Sequence, residues 1–229
     1  MYNTKTLRGT IFCPPIKYNK EFVSKLNYLF KDYIPVLYRD GVLPMMPSWQ
    51  LSSPDEKEVI LFNGDKIDLV LSINDRIDDT AVQQFSNRCI DVFRLIMEIT
   101  GLPCSRMALA PSIVVTENGI RPDSLYNRLF GLQEFMNTRP GISNVSQVFC
   151  VTLNIGNKDI KVNHVANFHV ENEVINIKGQ NSVKVRYICD FDINTMVNPD
   201  YRFNIEDLIS FYSTIPSCFK KYYNLYLAE

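Results

Sequence analysis

The sequence predicts an α+β fold, largely antiparallel and assembled from two similar units. Groups of short segments alternate apolar and polar residues between tight turn signals, the pattern of antiparallel strands with one buried face. Two long segments, 82–99 and 205–226, space their apolar residues by three and four, as helices with one buried stripe do. The order strand, helix, antiparallel meander, long helix then occurs twice, over 1–101 and over 102–229.

In the first unit, residues 7–13 are short and apolar and are stopped by Pro14 and Pro15, which suits a strand ending at a sheet edge. Phe22, Leu26, Leu29 and Phe30 recur at helical spacing and predict a helix over 19–33. Pro35, Pro44 and Pro47 then break up a loop, and Trp49 and Leu51 open a strand. A hairpin follows. Residues 59–61 lead into "FNGD", and Ile67, Leu69, Leu71 and Ile73 alternate after it, with Asn63-Gly64 supplying the positive φ angles of a type I′ turn. Asp78, Asp79 and Thr80 can cap the first long helix. Val82, Phe85, Cys89, Val92, Ile96 and Ile99 form its core stripe, and Gly101 with Pro103 ends it.

The second unit repeats this order. Residues 107–116 read as a strand, and Leu125, Leu129, Leu132 and Phe135 as helical turns stopped by Pro140 and Gly141. Alternation predicts strands over 149–155, 160–170 and 183–193, with a short strand at 174–177 between the last two. Ile205, Leu208, Tyr212, Ile215, Phe219, Tyr222 and Tyr226 mark the closing helix, which Pro216 should kink. The halves share wording: "LNYLF" at 26–30 against "LYNRLF" at 125–130, and "LSIN" at 71–74 against "DFDIN" at 190–194. Two pseudo-repeated units, 1–101 and 102–229, are therefore expected to pack as one compact body. The plan resembles the helix-grip and TBP-like class, in which a curved sheet cradles a long helix.

The stretch "PSWQLSSPDEKEVILFNGDKIDLVLSIN", followed by a long helix and the strand at 107–116, is similar in element order to a sporadically distributed bacterial family of uncharacterised proteins of comparable length. That resemblance spans most of the chain in order, implies no activity, and carries no functional residues over.

Charge bounds the partners. The 229 residues carry a formal charge of −1, with 12 basic and 13 acidic side chains in 1–101 and 12 of each in 102–229. A nucleic-acid binder gains much of its affinity from a basic excess, and neither half has one. The amino terminus lacks the apolar core of a signal peptide, and no apolar run reaches membrane-spanning length. The six cysteines are scattered without a C-x-x-C pair, which predicts reduced core thiols in a cytoplasmic protein.

Nucleotide and hydrolase signatures are absent: no G-x-x-x-x-G-K-[ST], no G-x-G-x-x-G, no G-x-S-x-G and no H-E-x-x-H. No cofactor or metal is expected on this reading. His164 falls on the apolar face of its strand, where a hydrogen-bonded core histidine outweighs a dyad with Cys150 or Cys189. The acidic run "NDRIDD" at 74–79 lacks the spacing of an EF-hand loop, so helix capping explains it better. One polar cluster merits attention. His169, Glu173, Asp190 and Asp192 gather toward one end of the second meander, in residue types suited to a hard metal or to acid–base work. Reading 160–170, 173–178 and 182–193 as successive strands separates His169 from Asp190 by two interstrand spacings, roughly 10 Å. The plainer reading is a solvated strand face whose aspartates turn into the next helix.

Structural signals without catalytic ones predict a non-enzymatic binding or interaction module. Its exposed edge strands and tyrosine-rich last helix would meet a protein partner or a second copy. The rival is a small-molecule-binding protein or enzyme using a cradle between the sheet and a long helix.

Overall fold

A computed structural model of the chain describes residues 5–16, 19–38, 48–73, 77–114, 144–177 and 180–227. The helical turns expected from Leu125 to Phe135 lie outside the described residues, as do Pro44, Pro47 and positions 74–76. Among the described residues the first half runs β1 (Lys5–Phe12), α1 (Lys20–Leu29), β2 (Ile34–Tyr38), β3 (Ser48–Ser52), β4 (Glu58–Asn63), β5 (Lys66–Ile73) and α2 (Asp79–Thr100). The second runs β6 (Arg106–Val114), β7 (Asn144–Ile155), β8 (Lys158–Ile177), β9 (Gln180–Thr195) and α3 (Ile205–Leu227). The strands form one nine-stranded sheet in the order β2-β3-β4-β5-β1-β6-β9-β8-β7, with every pair antiparallel. The α+β, antiparallel expectation therefore holds. Among the described residues no helix is long and apolar enough to cross a membrane.

The helices cover one face of the sheet. Leu7 and Ile11 of β1, Ile67 and Leu69 of β5, Met107 and Leu109 of β6, and Phe191 and Ile193 of β9 all point toward them and are buried. They meet Phe85, Cys89, Val92 and Phe93 of α2 and Leu208, Phe211, Tyr212 and Phe219 of α3 in a single cluster. Two close approaches fix the distance between the layers. Gly9 of β1 lies under α2, where an added Cβ would collide with Cys89 Sγ and come within 3.3 Å of Phe93. Tyr212, packed on Phe93 with ring centroids 5.7 Å apart, points its hydroxyl at the sheet backbone, 3.1 Å from Thr10 O and 3.0 Å from Ala108 O.

Helix ends follow local chemistry. Asp78 caps α2 by accepting from Ala81 N at 2.9 Å, and Gly101 closes it in the left-handed conformation. The "NDRIDD" run thus contributes a cap, as capping logic expects, and Asp79 also meets Lys220 of α3 at 3.0 Å. Asn19 caps α1, which spans a shorter range than the expected 19–33. Asn204 and Asp207 exchange reciprocal bonds at the start of α3, Asp207 N to Asn204 Oδ1 at 2.9 Å and Asn204 N to Asp207 Oδ2 at 3.0 Å. Buried Asp207 also receives Lys158 Nζ at 2.5 Å, which ties the β7–β8 turn to the helix. α3 is one continuous helix through Pro216.

Three expectations about local structure change. Pro35 belongs to β2 rather than to a loop; β2 is a sheet edge, where a missing N–H costs no ladder bond. The β4–β5 loop is Gly64-Asp65, since Asn63 pairs with Lys66, and only Gly64 takes a positive φ, 52°; the turn is therefore of the II′ kind rather than I′. The I′ pattern occurs instead between β7 and β8, where Gly156 and Asn157 have φ of 56° and 65°. Third, 174–177 is not a separate strand. It continues β8, which pairs with β9 from Val162↔Thr195 to Ile177↔Gln180. Among the described residues this ladder runs on past the ends of β6 and β7 as a two-stranded ribbon.

Candidate functional site

The continuity of β8 brings the polar cluster together more tightly than the sequence implied. β8 and β9 are direct neighbours, so His169 pairs with Ile188 and Asn167 with Asp190. Asp190 lies on the face opposite the helices, at the base of the ribbon. Ser112 of β6, its cross-strand partner on the other side, donates to Asp190 Oδ1 at 2.5 Å. His169 Nδ1 stands 3.4 Å from Asp190 Oδ2. Both carboxylate oxygens thus meet side chains from neighbouring strands. The roughly 10 Å separation expected for His169 and Asp190 is corrected, because no strand intervenes.

Asp192 is two residues along the same face, opposite Val165 of β8. Burial pushes its carboxyl pKa up, against the lowering pull of a hydrogen bond from Asn194 and the charge of Arg106. Arg106 is itself fixed in place. It donates to Asn194 Oδ1 at 2.9 Å and to Thr195 O at 3.2 Å, and its guanidinium lies 5.0 Å from the centre of the Phe12 ring. Glu173 stays apart. Its backbone pairs with Lys184, four residues along β8 from His169, a separation of about 13 Å. The structure therefore assembles His169 and Asp190, sets Asp192 beside them, and leaves Glu173 outside.

Sequence reading missed Ser112, Arg106 and Asn194. The parity of β6 carries the signal, since Arg106, Ala108, Ala110 and Ser112 share the face opposite the apolar Met107 and Leu109. What could not be read was which strand neighbours β9, because β6 pairs with it across 78 residues of chain in the Ser112–Asp190 contact.

The cluster links three neighbouring strands, β6, β9 and β8, through Ser112, Asp190 and His169. The Ser112 hydroxyl donates to the Asp190 carboxylate, which lies between it and the His169 imidazole, so the imidazole does not itself contact the hydroxyl. Among the described residues no group of three or more His, Cys, Asp or Glu side chains is placed to hold a metal ion. The dyads weighed for His164 do not form. His164 pairs with Phe149 and Ile193 and is buried on the helix side; Cys150 pairs with Asn163 and alternates to the other face. Cys189 pairs with Phe168, about 13 Å along the strand. Burial lowers the His164 pKa from 6.5 to about 4, so the ring is neutral at pH 7. Of the six thiols only Cys150 is exposed, and burial raises the Cys13 pKa to about 11.

Elsewhere, clefts border α1 and α2 on the outside of the helical layer. One of about 340 Å³ is lined by Ile16, Phe22, Ile99 and Leu102, and a neighbouring one of about 600 Å³ by Tyr28, Leu29, Leu95 and Ile99. Another ion pair links α2 to the sheet in the first half: Arg88 of α2 grips Glu58 of β4 through Nε and Nη2, and Tyr33 contacts both.

Fold and site together define an antiparallel α+β protein whose polar cluster lies on the face of the sheet opposite α2 and α3. No family profile matches the chain, and no curated protein matches it either.

Proposed function

We propose that this chain is a non-enzymatic binding or protein-interaction module that works through the outside of one packed body. The observation that carries this reading is where the apolar side chains sit. The space between the sheet and α2 and α3 is occupied by Phe85, Phe93, Phe211, Tyr212 and Phe219, all almost wholly buried. Large apolar groups meanwhile stand exposed on peripheral elements: Tyr28 at 81% exposure on α1, Val148 at 60% on β7 and Ile34 at 53% on β2. Exposed apolar groups on outer elements suit contact with another macromolecule better than capture of a small molecule.

The architecture proposed with it is a duplicated, TBP-like unit over 1–101 and 102–229. Its support is the strand order, which outward from the central β1–β6 pair runs β5, β4, β3 on one side and β9, β8, β7 on the other, with β2 as an extra strand on the first side. In each half the last meander strand, β5 or β9, returns beside the opening strand and leads into the long helix. The two long helices then pack on each other, with Phe93 against Tyr212 and Asp79 against Lys220.

Native mass spectrometry of the protein isolated gently from its source tests the function. The expected species is the chain bound to a protein, another or itself, in a fixed ratio. A monomeric chain carrying a stoichiometric small molecule would instead support the rival cradle reading and overturn this one.

A further inference from the structure

We infer that β7 is a homodimerisation edge, joined to β7 of a second copy as an antiparallel pair about a two-fold axis. This inference rests on the interaction-module reading and names the partner of one of its surfaces.

Among the described residues β7 pairs only with β8, and it ends the sheet. Edge strands of monomeric proteins are usually kept from pairing by lysines, prolines, bulges or shortness. The opposite edge of this sheet follows that rule, since β2 has five residues and includes Pro35. β7 does not. It has twelve residues, "NVSQVFCVTLNI", with no charge, no proline and no glycine. Val148, Phe149 and Cys150 at its middle are all exposed, Val148 at 60% and Phe149 at 42%.

The hairpin fixes which backbone groups are offered. In a two-residue hairpin the pair flanking the loop, here Ile155 and Lys158, exchanges both backbone bonds. Alternation then turns the odd-numbered residues of β7 toward β8. The N–H and C=O groups of Ser146, Val148, Cys150, Thr152 and Asn154 therefore face outward. A copy related by a two-fold axis near Phe149 would match Val148 with Cys150 and Cys150 with Val148, and lay the two Phe149 rings side by side.

The occupant follows from charge. An uncharged strand meets its own copy without like-charge repulsion, whereas it offers nothing to select a charged strand from elsewhere. Pairing two copies this way is closed, because the two-fold axis matches each β7 edge with the other.

The test uses the recombinant full-length chain alone. Sedimentation equilibrium should give a concentration-dependent dimer. Val148→Lys should weaken it at least tenfold at unchanged melting temperature, while Ile34→Lys on β2 should leave it intact. In the unsubstituted protein a short bis-maleimide should couple Cys150 to Cys150 of the second copy, which requires no variant to fold. A monomer up to millimolar concentration overturns the inference. So does a dimer that Ile34→Lys abolishes and Val148→Lys does not, or one in which Cys150 fails to cross-link. A recombinant monomer that still carries a different protein in the native spectrum removes the β7 dimer alone and leaves the broader function standing.

Discussion

At the scale of single residues, the structure turns charged and polar groups into joints of the framework. Asp192 illustrates the sign of such a contact. Its folded pKa is raised, so its charged form destabilises the fold at neutral pH, and that cost is relieved as pH falls through the raised value. Asp192→Asn should therefore be more stable than the parent at pH 7, by a margin that shrinks on acidification; chemical denaturation at several pH values measures it. His164 acts the other way. Its pKa falls from 6.5 in the unfolded chain to about 4 in the fold, so the unfolded state binds the proton first. Stability should decline as pH drops from 6.5 toward 4, by about 3 kcal/mol in all, and His164→Leu should flatten that decline. The location of His164 was legible from strand parity alone. The grip of Ser112 on Asp190 was not, because the contact joins strands far apart in sequence.

At the scale of elements, periodicity identified both long helices and most strands, and caps placed the ends of α2 within a residue. The failures have local causes. Pro35 read as a breaker because nothing in sequence marks β2 as an edge. The 174–177 segment read as a separate strand because Glu171, Asn172 and Glu173 interrupt the apolar alternation without interrupting the backbone ladder. That one misreading displaced His169 from Asp190 by a whole strand. Packing between elements gives a sharper prediction. Gly9→Ala would drive a methyl group into Cys89 beneath α2 and should cost about 1–3 kcal/mol. Adding Cys89→Ala makes room for it, so the double variant should recover more than additivity allows. Thermal or denaturant melts of the four proteins complete the cycle; strict additivity would show that β1 and α2 do not meet as described.

At the scale of the whole molecule, one sheet and one continuous core join the two halves. β1 pairs with β6, α2 packs on α3, and Cys104 exchanges backbone bonds with Phe203 between the helices' flanking loops. The buried residues of both halves form one continuous cluster, so unfolding should be a single cooperative step. Trp49, stacked on Phe62 in the first half, and a fluorophore on Cys150 in the second should report the same denaturant midpoint. Two separated midpoints would mean independent units. Alternation and helical spacing in the sequence could not say whether the strands build one sheet or two, because that depends on β1 and β6 meeting.

The central claim is that function lies on the outside of this body and not in the aspartate cluster. Retention of the bound protein by the Asp190→Asn, Asp192→Asn double variant, compared with the parent at a temperature where both are folded, tests it most directly. The account predicts equal retention, since neither carboxylate belongs to the proposed contact surface. A variant that stays folded but loses the bound protein would contradict it.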